Sequence, residues 1–199
     1  MTALVLASSS PYRRALLARL RLPFDWRAPA VDERPRPGES PPDLARRLAT
    51  AKAAAVASTL TAGLVIGSDQ VAVNAGRTLG KPGSRAAAIE QLTAASGRAV
   101  LFHTAVCVLD AANGTRHSAL VPCTVYFREL DPAAIANYVD TEQPLDCAGS
   151  FKAEGLGIVL FERIVGDDPT ALTGLPLIAL TDLLRAAGCD VLAQLPAEP

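Results

Sequence analysis

Short apolar runs alternate with helix-periodic stretches along this chain. Leu4 to Ala7 reads as a buried strand. Ser8-Ser9-Ser10 follows, and Pro11 suits the first turn of a helix that the leucines carry to Leu22, with Leu16, Leu17 and Leu20 on its apolar side. Arg34 to Pro42 is proline-rich and reads as a loop. Ser40 is placed to cap the next helix, where Leu44, Leu48, Ala51 and Ala55 form one face with Lys52 beside it. Leu64 to Ile66 is a second buried strand, running through Gly67-Ser68-Asp69-Gln70 into Val71 to Val73, with a turn at Asn74-Ala75-Gly76. Ser84 opens a helix that ends near Gly97. Val100 to Leu109 and Leu120 to Phe127 read as long strands joined at Asn113-Gly114. Asp131-Pro132 starts another helix, Ile158 to Phe161 is a further strand, and a last helix runs from Pro176 to Ala187 with Gly188 as its C-terminal cap. The alternation predicts an α/β fold with a mixed sheet.

Composition narrows the class. At 199 residues, half of them hydrophobic, the chain has core enough to need no disulfide staple. Its net charge is −1, with no basic stripe, which argues against polymeric nucleic acid as a partner. Cys107, Cys123, Cys147 and Cys189 lack metal-ligand spacing and read as free thiols of a reducing compartment. No apolar run is long enough for a membrane span or shaped as a signal peptide, so a cytoplasmic location is expected.

Five segments can carry chemistry. Ser8, Ser10, Arg13 and Arg14 sit where a strand feeds a helix N-terminus, a natural anion cradle, although capping serines with surface arginines fit the same pattern. Asp69 follows a buried strand, where α/β proteins place ligands; it can bind a metal, accept a proton or simply cap a turn. Asp32 and Glu33 add acids that either join Asp69 around a hard cation or are solvated. The chain has only three lysines among its 19 basic residues: Lys52, Lys81 in Gly-Lys-Pro, and Lys152 in a glycine-containing loop. Each can neutralise phosphate charge or serve as a surface cation. The glycine-rich stretch Gly149 to Gly157 brings Phe151 and Glu154 near any pocket it lines, or else is a plain connection.

Taken together, LASSSPYRR (Leu6 to Arg14), VDE (Val31 to Glu33), IGSDQV (Ile66 to Val71), GKP (Gly80 to Pro82), AGSFKAEG (Ala148 to Gly155) and GLPL (Gly174 to Leu177) resemble the Maf-like family over almost the whole chain. The resemblance implies an elongated mixed β-sheet with flanking helices, in two lobes around a central cleft, similar to inosine triphosphate pyrophosphatases. The single domain would span residues 1–192, with 193–199 a disordered tail. It implies a homodimer and a divalent metal, Mg²⁺ or Mn²⁺, used to cut a nucleoside triphosphate between its α and β phosphates. On that basis Asp69 matches the proton acceptor, with Lys52 and Lys81 as catalytic cations. Glu33 and Asp69 match the metal ligands, and Ser8, Ser10, Arg13, Arg14 and Lys152 the phosphate contacts.

Tyr12, Gln70 and Glu154 match the positions tied to substrate choice, and resemble the branch that prefers 7-methyl-GTP, in which tryptophan is usual where this chain has Tyr12. The physics agrees. N7-methylation makes guanine cationic, and an aromatic face attracts a cation by about 0.5–2 kcal/mol. A glutamate accepts charge-assisted bonds from the N1–H and N2–H edge, which uracil and thymine lack. Alternatives are an enzyme of the same family acting on dTTP, UTP or pseudouridine triphosphate, and a non-catalytic nucleotide-binding regulator of cell division.

Overall fold

A computed structural model of the chain describes residues 3–195. Its strands are β1 (Leu4–Ala7), β2 (Phe24–Arg27), β3 (Leu64–Asn74), β4 (Arg77–Leu79), β5 (Ala99–Asp110), β6 (Arg116–Phe127) and β7 (Phe161–Val165). They form one seven-stranded sheet in the order β2-β1-β3-β5-β6-β7, with β4 paired to β3. The helices are α1 (Pro11–Ala18), α2 (Pro41–Ala57), α3 (Arg85–Ala95), α4 (Pro132–Glu142), α5 (Leu177–Ala186) and α6 (Val191–Gln194). The expected mixed α/β class is what the chain adopts. No described helix is long and apolar enough to cross a membrane. None of the four cysteines is in a disulfide; three are buried and Cys147 is half-buried.

The chain divides into two compact units, the first made of residues through Gln70, Thr104–Val121 and Asp168 onward. In it β1 pairs in parallel with both β2 and β3. Parallel neighbours need crossovers, which α1 and α2 supply. Side chains alternate across the sheet. Leu4, Leu6, Leu64 and Ile66 share one core with Leu16 and Leu17 of α1 and Leu180 and Leu184 of α5. Residues of the other parity meet α2. There a Cβ on Gly67 would collide with the Ala49 carbonyl oxygen and lie 2.7 Å from the Ala53 nitrogen. Ala45, Ala49 and Ala53 are buried because only small side chains admit so close an approach.

Helix α2 corrects the sequence reading. Its buried stripe is Leu44, Ala45, Leu48, Ala49, Lys52, Ala53, Val56 and Ala57, so Lys52 lies on the buried face rather than beside it. Helix α1 ends at Ala18, four residues before Leu22, because Arg21 takes a left-handed backbone, φ 57°. Helix α6 carries regular structure to Gln194, into the segment expected to be a tail, and residues 196–199 lie outside the described residues.

The second unit comprises Val71–His103 and Pro122–Asp167. The end of β3 turns back antiparallel into β4 through Ala75-Gly76. Phe102, Phe127, Phe151 and Phe161 pack edge to face, with centroids 4.8–5.7 Å apart. The strand expected over Ile158 to Phe161 is instead a 3₁₀ turn, Leu156–Leu160, and strand β7 begins only at Phe161. Gly157 has no room for a Cβ against the Lys152 backbone, which holds this segment in a tight turn.

Candidate active site

Strands β2, β1 and β3 run parallel, so their carboxyl ends share one edge of the first unit. From that edge leave the loop bearing Glu33, after β2, and the Ser8–Ser10 turn, after β1. Strand β3 does not stop there: Asp69 lies within an eleven-residue strand, not after one as the sequence suggested. Because β1 ends at Ala7, paired with Gly67, β3 runs on past its neighbour and carries Ser68, Asp69 and Gln70 beside the turn.

Asp69 points toward α2, as Gly67 does. Lys52 is only 6% exposed and Asp69 7%. The Lys52 ammonium donates to Asp69 Oδ1 at 2.6 Å and lies 2.8 Å from Glu33 Oε1. Burial pushes the Asp69 carboxyl above its usual range, and nearby Glu33 adds to this; Lys52 and Arg13 pull it back. Burial likewise lowers the Arg13 guanidinium, against the attraction of Asp69 and Glu33. Arg13 and Asp69 thus lie within each other's electrostatic reach.

Arg13 Nε donates to the Gly174 carbonyl at 2.8 Å, and Ser68 Oγ donates to the same oxygen at 2.9 Å. Gly174 has φ 106°, a conformation that glycine adopts without strain. Ser10 caps α1, accepting from Arg13 N at 3.4 Å, while buried Ser8 accepts from Ser10 N at 3.1 Å. Tyr12 is half-buried on α1. The Arg14 guanidinium lies over the Trp26 ring, 4.2 Å from the centroid.

On the other face of β3, Gln70 Nε2 donates to Thr104 Oγ1 and to the carbonyls of Ala171 and Leu172, at 2.9–3.0 Å. Those carbonyls belong to a segment closed by Asp168 and Thr170, two residues that the sequence reading passed over. An Asp-x-Thr just upstream of a helix start was the available signal.

Lys81, Lys152 and Glu154 belong to the second unit. Lys81 and Glu154 are exposed. Lys152 Nζ donates to the Glu142 carbonyl at 2.8 Å and lies 3.5 Å from its carboxylate. Glu142 also accepts from Leu156 N at 3.0 Å, and so braces the loop that carries Lys152 and Glu154.

A family model described as Maf-like protein matches residues 3–187. This chain belongs to the Maf-like family. Among its Maf-like relatives, a protein of Alkalilimnicola ehrlichii named 7-methyl-GTP pyrophosphatase is 59% identical over 96% of this chain and 96% of its own length. A protein of the same name from Aromatoleum aromaticum is 58% identical, over 93% of this chain and 95% of its own. The Pseudomonas aeruginosa protein of that name is 54% identical, covering 96% of this chain and all of itself.

Proposed function

We propose that this chain is a nucleoside triphosphate pyrophosphatase that hydrolyses 7-methyl-GTP between its α and β phosphates, releasing 7-methyl-GMP and pyrophosphate. The observation that carries the reading is the Glu33–Lys52–Asp69 cluster, set beside Arg13, in a chain 54–59% identical to relatives of that name.

Glu33 and Asp69 fit a divalent metal, because both carboxylates converge beside the Lys52 ammonium. No group of three or more His, Cys, Asp or Glu is clustered for a metal among the described residues. Two carboxylates leave most coordination positions to phosphate oxygens and water, the pattern that Mg²⁺ favours. Mg²⁺ or Mn²⁺ bound by Glu33 and Asp69, beside the Lys52 ammonium, would supply Lewis-acid charge to the phosphate.

Asp69 takes a proton from the attacking water, a role that its raised pKa favours. Lys52 draws the Asp69 carboxyl back down and faces the charge that develops at phosphorus. Arg13 holds the triphosphate bidentately, with Ser8 and Ser10 beside it. Lys81 and Lys152 neutralise the departing pyrophosphate, while Tyr12 and Glu154 recognise the methylated base. Arg14, stacked on Trp26, is assigned no phosphate. A homodimer completes the proposal, and sedimentation tests it.

Incubation with 7-methyl-GTP and Mg²⁺ or Mn²⁺ should yield monophosphate and pyrophosphate, and a chelator should abolish turnover. Orthophosphate with a diphosphate product refutes the assignment. Asp69→Asn should cost about 10²–10⁴-fold in kcat, the usual worth of a positioned acid or base. Equal rates on UTP and dTTP would refute the base preference.

A further inference from the structure

We propose that Asp168 is a positioning residue that locks the Gln70 amide in one orientation, so that Gln70 meets the nucleoside only through its oxygen, as a hydrogen-bond acceptor. The ligand group it selects is a donor: the exocyclic 2-amino group of a purine or a ribose hydroxyl. The proposal rests on the nucleotide pyrophosphatase reading above.

The lock is visible in the proton inventory. Gln70 Nε2 shares its two N–H groups among Thr104 Oγ1 at 3.0 Å, the Ala171 carbonyl at 2.9 Å and the Leu172 carbonyl at 3.0 Å. Carbonyls have no proton to give. The Thr104 hydroxyl has one, but spends it on the Ala171 carbonyl at 2.9 Å. Turning the amide over would set Oε1 against two carbonyl oxygens that cannot donate and would leave both without the N–H, so the orientation is dictated. Oε1 accepts nothing from any described residue, and it is not among the buried polar atoms left without a partner. Solvent, and hence a ligand, reaches it.

The lock needs the 171–172 carbonyls to stay in place, and Asp168 holds them. Its Oδ1 accepts from Thr170 N at 3.0 Å and Thr170 Oγ1 at 2.7 Å. Its Oδ2 accepts from Ile178 N at 2.7 Å and Ala179 N at 3.3 Å. Thr170 Oγ1 in turn accepts from Leu177 N at 2.7 Å. One carboxylate thus ties the start of the segment to the first turn of α5 and closes the loop between them. Asp168 is 3% exposed and makes no salt bridge among the described residues, so these amides and the positive end of α5 are what support its charge. A side chain so committed does not touch substrate; it acts through Gln70.

The test uses 7-methyl-GTP and three analogues, each missing one donor: 7-methyl-ITP, and the 2′-deoxy and 3′-deoxy forms of 7-methyl-GTP. Wild type should lose about ten-fold in kcat/KM on at least one analogue, the size of one net hydrogen bond. Gln70→Leu should lose that factor on the parent and show no further penalty on that analogue. Asp168→Asn should shrink the same penalty below about three-fold and raise KM more than it lowers kcat. Thr170→Val removes the bridging hydroxyl and should act in the same direction if Asp168→Asn does not fold. The proposal is overturned if wild type discriminates against no analogue, or if Gln70→Leu keeps the penalty. It is equally overturned if the Asp168 or Thr170 variant slows all substrates alike, which would make Asp168 a helix cap only. Should wild type not hydrolyse 7-methyl-GTP, the pyrophosphatase assignment fails separately for that base, and deoxy forms of its best triphosphate carry the same comparison.

Discussion

Lys52 Nζ and Asp69 Oδ1 stand 2.6 Å apart in the interior of the first unit, an ion pair formed by one turn of α2 laid against one residue of β3. Burial raises the Asp69 pKa, and among the opposing influences Lys52 is the strongest.

Removing that cation should therefore move a titration as well as a rate. In Lys52→Met the Asp69 carboxyl rises further, so a larger fraction is protonated at any given pH and unable to accept a proton. The acid limb of the kcat profile should shift to higher pH. The plateau should drop by about 10²–10³-fold, the cost of losing one preorganised electrostatic group. A pH–rate profile of both proteins checks this; an unmoved acid limb would separate Lys52 from Asp69.

A second ion pair anchors the Glu33 loop to α2. Arg47 donates to both Glu39 oxygens, at 2.6 and 2.9 Å, and to the Arg34 carbonyl at 3.0 Å. Arg47, then the Arg36 amide, hold Glu39 down at about 2, against an ordinary 4.5. A carboxyl depressed by folding binds its proton more readily when unfolded. Its contribution to stability is thus complete above pH 4.5 and fades as pH falls toward 2. Wild type should exceed Glu39→Gln in urea midpoint at pH 7, and the gap should close in acid. A gap of constant size at every pH would contradict the ion pair.

Gly67→Ala should destabilise the fold by about 1–3 kcal/mol, as overpacking does. The new methyl has the α2 backbone in its way, so helix and strand must part, and Lys52 would withdraw from Asp69. A urea titration paired with turnover measures both effects. Loss of stability with full activity would show that the helix–strand spacing does not set the ion pair.

Arg13→Lys keeps the charge but loses the Nε–H bond to Gly174 and the planar fork. A hydrogen bond to a charged group is worth about 1.5–3 kcal/mol, so kcat/KM should fall about ten- to a hundred-fold. Steady-state kinetics at saturating metal decides it, and near-wild-type values would remove Arg13 from phosphate binding.

Much of this was legible from the chain. The run from Leu4 to Ala7 followed by serines and Pro11 could only be a strand entering a capped helix, and the parallel pairing of β1 with β3 then brought Asp69 to the same edge. What failed did so for physical reasons. Lys52 was misplaced because the stripe was run from Leu44 and Leu48 through Ala51 and Ala55, whereas the face that approaches Gly67 runs through Ala49, Lys52, Ala53 and Val56. Leu156 to Leu160 is an apolar run too short for its period to distinguish a strand from a 3₁₀ turn. β2 escaped notice because its alternation, Phe24 to Arg27, is only four residues long, too short to stand out from the loop around it. Asp168 was passed over, since nothing local reveals that contacts made far along the chain will bury it.

The alternation of β3 has a bearing on how such a protein diversifies. Gly67 and Asp69 face α2 and its Lys52; Ser68 and Gln70, one step out of phase, bond the segment before α5. On the proposed reading, changes at Gln70 retune substrate choice without touching the Lys52–Asp69 pair. A single inserted residue in this strand would exchange the two faces at a stroke.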